Sequence, residues 1–182
     1  MVRYAITNLF TNKSSTSIDK LLYLLSKKDA NMLLYRDKDT KSYCKYAKEF
    51  LSISQKYNFK RVLLHSNLEC AIKLKATSIH LRSDQFNLIK DAKEEELFTV
   101  VSTHSIKEIQ KVTTLGADMV TLSPIFTSPN KGKPLGIEYL KEAVKISNIP
   151  IIALGGIVTN RHIEAIKASN AYGFASIRYF CT

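Results

Sequence analysis

The chain has 182 residues, 45% of them hydrophobic and 24% charged, and a formal net charge of +11. That length is enough to bury a core without staples, so residues 1–182 are read as a single domain. The composition excludes a disordered chain, and no apolar run approaches the roughly 20 residues of a membrane span. The opening Met1-Val-Arg-Tyr-Ala-Ile-Thr7 reads as a strand rather than a secretion signal, which predicts a cytoplasmic protein. The 27 Lys and Arg are spread over most helical segments and form no cluster alternating with stacking aromatics. No nucleic-acid partner is therefore expected, and a basic surface around a pocket for an anionic substrate is. Cys44, Cys70 and Cys181 are odd in number and scattered, so neither a disulfide framework nor a zinc site is predicted. Each is read as a small core or surface residue.

Short apolar runs alternate with amphipathic stretches along the chain. Arg3 to Thr7 is a first strand, and Ile18, Leu21, Leu22 and Leu25 then repeat at helical spacing. Asn31 to Tyr35 is a second strand, followed by a stripe of Tyr43, Tyr46, Ala47, Phe50 and Leu51. Arg61 to His65 and Ser78 to Leu81 are the third and fourth, with helices near Leu68 to Leu74 and Phe86 to Lys93. Phe98 to Ser102 is the fifth, apolar or β-branched on both faces, as a covered parallel sheet requires. Ser105 and Glu108 form a capping box for the next helix, and Gly116 stands at its end. Asp118 to Leu122 leads into a Pro/Gly-rich loop from Ser123 to Gly136, then a helix marked by Ile137, Leu140 and Val144. Pro150 to Leu154, a helix capped by Asn160, and Gly173 to Ile177 complete the pattern.

Eight strand units with seven helices between them predict a (β/α)8 barrel rather than an open sheet. Thr182 follows the last strand so soon that the eighth helix is expected to be missing or truncated. Apolar surface left between the first and seventh helices would then be covered by the C-terminal residues or a partner subunit, and a homodimer is expected.

Active sites of this fold lie at the C-terminal strand ends, and phosphate often sits after strands seven and eight. Gly155 and Gly156 follow strand seven and allow amides to approach an anion. Ile177 and Arg178 follow strand eight, where an amide and a charged fork close the same cup. Arg36 and Lys38 follow strand two and can face one anion together. Ser128, Asn130 and Lys131 lie in the long loop after strand six, a length that usually signals ligand contact. His65 closes strand three at the rim and is the histidine best placed to move a proton near neutral pH. His80 is read as a packed residue within strand four, His104 as a residue beside a helix cap and His162 as solvated on a helix.

Taken together, Arg36-Asp-Lys38, Ile79-His-Leu81, Ser102-Thr-His-Ser105, the Ser123–Lys131 loop and Ala153-Leu-Gly-Gly-Ile157 resemble the thiamin phosphate synthase/TenI family, in order and through nearly the whole chain. Synthases of that family join a pyrimidine diphosphate to a thiazole phosphate with Mg2+. TenI-type relatives keep the barrel and the thiazole-phosphate cup and aromatise a thiazole carboxylate phosphate by proton transfer. The resemblance implies that Arg36 and Lys38 match the diphosphate-binding pair and that Ser102 matches a site serine. It also matches Ser128 and Lys131 to a diphosphate-gripping loop, with Asn130 in place of a threonine, and Gly156 and Ile177 to the cup.

Departures from the synthase pattern decide between the branches. Leu34 replaces a glutamine, and His65-Ser66 replaces an Asn-Asp pair. Gln85 stands where the second metal-binding aspartate falls, with Asp84 adjacent. The TenI histidine falls at Pro124, which cannot move a proton. The expected function is therefore a TenI-like thiazole phosphate tautomerase without a metal cofactor, with His65 as proton carrier and Lys38 or His104 behind it. One alternative is the synthase itself, with Mg2+ on Asp84. Another is a non-catalytic protein that binds the thiazole phosphate.

Overall fold

In the computed structural model of the chain, residues 1–7, 15–37, 41–129 and 131–181 are described. Strands β1 (Val2–Ile6), β2 (Met32–Tyr35), β3 (Arg61–His65), β4 (Ser78–Leu81), β5 (Phe98–Thr103), β6 (Met119–Leu122), β7 (Ile151–Leu154) and β8 (Gly173–Ser176) close into a barrel in sequence order. Every pairing is parallel, including β8 with β1, where Tyr4 is level with Ala175. Between them run helices α1 (Ser15–Lys27), α2 (Tyr43–Ser54), α3 (Leu68–Lys73), α4 (Ile89–Glu94, entered by a 3-10 turn at Phe86–Leu88), α5 (Ile106–Thr114), α6 (Gly136–Ile146) and α7 (Asn160–Ala168). The predicted (β/α)8 barrel is the fold, and the described residues include a short α8 (Arg178–Cys181) after β8.

Period-two alternation sorts the strand residues into two cores. Tyr4, Ile6, Met32, Leu34, Leu63, Val100, Met119, Ile152 and Ala175 fill the barrel lumen. Their neighbours Ala5, Leu33, Leu64, Val101, Ala153 and Phe174 face outward and pack with the helices. The lower lumen is closed by Arg61, whose guanidinium lies 3.7 Å from the centre of the Phe98 ring and donates to Ser78 Oγ. Helix entries use short polar caps. Asn67 accepts from the amide of Cys70, Ser105 from Glu108 and Thr159 from His162. Thr159 therefore takes the capping position expected of Asn160, which is instead the first helical residue. Gly116 does end α5, at φ +96°.

Cys44 on α2 and Cys70 on α3 are joined as a disulfide, with Cα atoms 5.7 Å apart. This corrects the reading of both as isolated small residues. Nothing in their spacing of 26 residues announces the pairing, because it depends on how two neighbouring helices pack.

The short α8 packs on the barrel through aromatic side chains. Phe180 is buried and stacks on Phe174, and Tyr179 meets the same ring edge-on. Arg3 of β1 lies 5.6 Å from the centres of both the Phe174 and Tyr179 rings and donates to the Lys28 carbonyl and Tyr179 Oη. Tyr179 Oη donates in turn to Asn160 Oδ1. The stub thus ties β1, α1 and α7 together.

Candidate active site

On the β2–β4 side of the C-terminal mouth, side chains converge on a cavity of about 600 Å³ lined by Arg36, Asp37, Tyr43, His65, Ser66 and Arg82, among others. Thr7 ties the ends of β1 and β2 by donating to the Leu34 carbonyl and accepting from the Arg36 amide. Burial lowers the Arg36 guanidinium from its ordinary value. Tyr35 Oη donates to Asp37 Oδ2. Tyr43 Oη accepts from the His65 amide at 2.8 Å and donates to the His65 carbonyl at 2.9 Å, which pins the backbone of that histidine.

The His65 ring lies against Ser66 Oγ, 3.1 Å from Nδ1 and 3.3 Å from Nε2. Burial, reinforced by the positive charges of Arg36 and Arg82, pulls its pKa down to about 4. At neutral pH the imidazole is therefore uncharged. Below it, His80 is fully enclosed, bonded through Nδ1 to Tyr4 Oη and through Nε2 to Ser102 Oγ, both at 2.9 Å. Burial is the largest cause that pulls His80 down to about 3. Neutral His80 offers one donor and one acceptor, so its tautomer sets the hydroxyl directions of Tyr4 and Ser102 together. Thr121, level with Ser102 on β6, has a buried Oγ1 with no hydrogen-bond partner among the described residues.

At the β3–β4 rim, Arg82 grips Asp84 with a two-pronged fork, Nε and Nη2 on separate carboxylate oxygens at 2.8 and 2.9 Å. Gln85 accepts from the Arg82 amide and donates to the Ser66 carbonyl. Among the described residues no group of three or more His, Cys, Asp or Glu side chains is placed to hold a metal ion. Mg2+ needs several hard oxygens around one point, usually including one or two carboxylates. The donors present here do not meet that need, because the Asp84 oxygens are taken by a guanidinium and the Gln85 amide is neutral and bonded at both ends.

The β6–β8 side is built from backbone. Gly155 and Gly156 have φ of +97° and +73°. A Cβ on Gly155 would lie 2.8 Å from Pro124, and one on Gly156 would lie 2.5 Å from the Thr127 carbonyl oxygen. The β6 loop is pressed onto this turn by hydrogen bonds from Ile125 N to Leu154 O and from Phe126 N to Gly155 O. Only glycine admits that approach. The amides of Gly156 and Ile177 have no hydrogen-bond acceptor among the described residues. Arg178 is exposed at the start of α8. Ser128 is half-buried and Lys131 is exposed, linked by a bond from Lys131 N to Ser128 O. His104 Nδ1 donates to the Ser123 carbonyl at 2.8 Å, next to the cis Ser123–Pro124 peptide bond. His162, read as solvated, is half-buried and stacks on Phe126. Lys38 and Asn130 lie outside the described residues.

The structure thus gathers Arg36 and His65 on one side and Gly155, Gly156, Ile177 and Arg178 on the other, with Ser102 beneath. No sequence pattern marks Tyr4, Tyr43 or Arg82 as site residues, whereas Gln85 falls where the resemblance places a metal-binding aspartate. Tyr43 looked like one more residue of a helical stripe.

The class defined by this geometry is a closed (β/α)8 barrel with its ionisable and backbone donor groups collected at the C-terminal mouth. The family described as "Thiamine monophosphate synthase" matches the chain over residues 3–180, and the chain belongs to that family. The Aquifex aeolicus protein named "Putative thiamine-phosphate synthase 2" is 33% identical over 182 residues, covering 97% of this chain and 96% of that one. The thiamine-phosphate synthase of Dictyoglomus thermophilum is 31% identical over 144 residues, covering 75% of this chain and 64% of its own length. Among solved structures, a thiamine phosphate pyrophosphorylase from Pyrococcus furiosus superposes with a TM-score of 0.79 at 21% identity, covering 97% of this chain and 85% of that one. An N-acetylmannosamine-6-phosphate 2-epimerase from Clostridium perfringens reaches 0.76 at 14% identity, over 98% and 87% of the two chains, a likeness of fold alone.

Proposed function

We propose that the chain binds a thiazole phosphate and catalyses its tautomerisation, as TenI-type members of the family do. The observation that carries the binding half of this reading is the pair of amides, Gly156 and Ile177, without an acceptor among the described residues and beside a turn that only glycine can make. Such amides complement the oxygens of a phosphate monoester, and the exposed Arg178 adds charge at the same edge. Ser128 and Lys131 extend the donor set from the loop after β6. His65 is the proposed proton carrier. Its imidazole, neutral at pH 7, takes a proton from one ring position of a thiazole carboxylate phosphate and returns it at another, so the ring aromatises with no net loss of atoms. Arg36 and the Tyr43-pinned backbone orient it.

The synthase reading draws on the names of the relatives and on the Arg36 position. It would require Mg2+ on Asp84, whose oxygens are held by Arg82. A paired assay separates the two. One arm supplies the pyrimidine diphosphate and thiazole phosphate with Mg2+, and the other supplies the thiazole tautomer with chelator. Turnover in the chelator arm alone is the expected result. Coupling in the Mg2+ arm would establish the synthase instead, and binding without turnover in either arm would leave a carrier.

A further inference from the structure

We infer that the β3–β4 rim has exchanged a divalent-cation site for a clamp of fixed hydrogen bonds and guanidinium charge, so that this chain holds its ligand without metal. Four residues make the clamp, and each has its polar groups engaged. Ser66 sits at φ +63° with its hydroxyl against the His65 ring and its carbonyl bound by Gln85 Nε2. Gln85 Oε1 is bound by the Arg82 amide, and both Asp84 oxygens are bound by the Arg82 side chain.

The remaining carboxylates do not rebuild a cation site. Asp37 is held by Tyr35 Oη, and Glu69 belongs to the first turn of α3, where its charge favours the helix N-terminus. A divalent ion entering the cavity would meet the guanidinium groups of Arg36 and Arg82 on its walls. Arg82 is itself paired with Asp84, so Arg36 on the cavity wall supplies the positive charge that a bound ion would otherwise bring. A guanidinium carries one charge and directs its donors in a plane. The rim is accordingly suited to a single carboxylate or phosphate group rather than to a diphosphate leaving group, which needs a metal to absorb its charge.

This inference deepens the tautomerase reading and rests on it only for the identity of the ligand. The test uses the full chain and Mn2+ as a paramagnetic stand-in for Mg2+, titrated with and without inorganic diphosphate and followed by electron paramagnetic resonance. Wild-type protein is expected to leave the Mn2+ signal the same as in protein-free controls in both titrations. The variant Arg82→Ala/Gln85→Asp, shown to be folded by circular dichroism, is expected to take up Mn2+. Stoichiometric Mn2+ uptake by wild type, lost in Asp84→Asn, would overturn the inference. So would a folded double variant that still takes none. Calorimetry with thiazole phosphate in chelator runs alongside. Failure there with Mn2+ still excluded removes the ligand assignment and leaves the clamp standing, whereas Mn2+ uptake with thiazole phosphate still bound does the reverse.

Discussion

On the β2–β4 side of the barrel mouth the working groups are side chains, His65, Arg36, Arg82 and Gln85, held by hydrogen bonds to one another and to neighbouring backbone. On the β6–β8 side they are backbone amides exposed by a glycine turn and backed by the β6 loop. The difference has a consequence for tolerance. A side-chain site can trade one residue for another and change its chemistry, as the Arg82–Gln85 clamp illustrates. A backbone site depends on steric room and permits almost no substitution. In the proposed function the first half sets the reaction, and the second sets the anion.

The largest effect is expected from His65→Ala, which removes the proposed proton carrier. Tautomerase turnover should fall by about 10²–10⁴-fold with thiazole phosphate binding little changed. Unchanged turnover would move the chemistry elsewhere, with His104 beside Ser123 the next residue to test. Gly156→Ala should damage both folding and the cup. Its new methyl meets the Thr127 carbonyl oxygen at a positive φ, so a loss of about 3 kcal/mol in denaturant unfolding is expected, together with weakened thiazole phosphate binding by calorimetry. Full stability here would show that the turn and loop are not tightly apposed.

Acid should act chiefly through the β2–β4 half. His65 and His80 are held neutral in the fold at about 4 and 3, below the ordinary value near 6.5. Their contribution to stability is complete above about pH 6.5. As pH falls, the unfolded chain takes up protons that the native state refuses, and stability drops by at most about 1.4 kcal/mol per pH unit for each imidazole. The loss ends once the pH passes below the native values. Urea unfolding between pH 7 and 4 checks this, and His80→Leu should flatten the slope.

A smaller change is expected from Tyr43→Phe, which strips the His65 backbone of its hydroxyl partner and should cost about 1–3 kcal/mol in stability. It should also lower kcat more than it raises KM, since it loosens the base rather than the anion cup. Asp84→Asn should leave the unfolding midpoint unchanged, because the Arg82–Asp84 pair is exposed and such pairs contribute little.

Much of this protein is written locally. Alternating β-branched and apolar runs, helical stripes such as Ile18-Leu22-Leu25 and caps such as Ser105 each act over a few residues, so the closed barrel, its short eighth helix and the glycine turn are legible in the sequence. Gly155 and Gly156 were legible for the same reason, since their position after a strand announces a turn. What only the tertiary structure decided depends on residues distant along the chain. Tyr4 reaches His80, Tyr43 reaches His65, Gln85 reaches Ser66, and Cys44 meets Cys70. Barrel closure and helix packing create those meetings, and no pattern within a window of one element encodes them. For that reason the sequence pointed to an anion cup, while the tertiary structure decided which charges face it and how His65 is kept neutral.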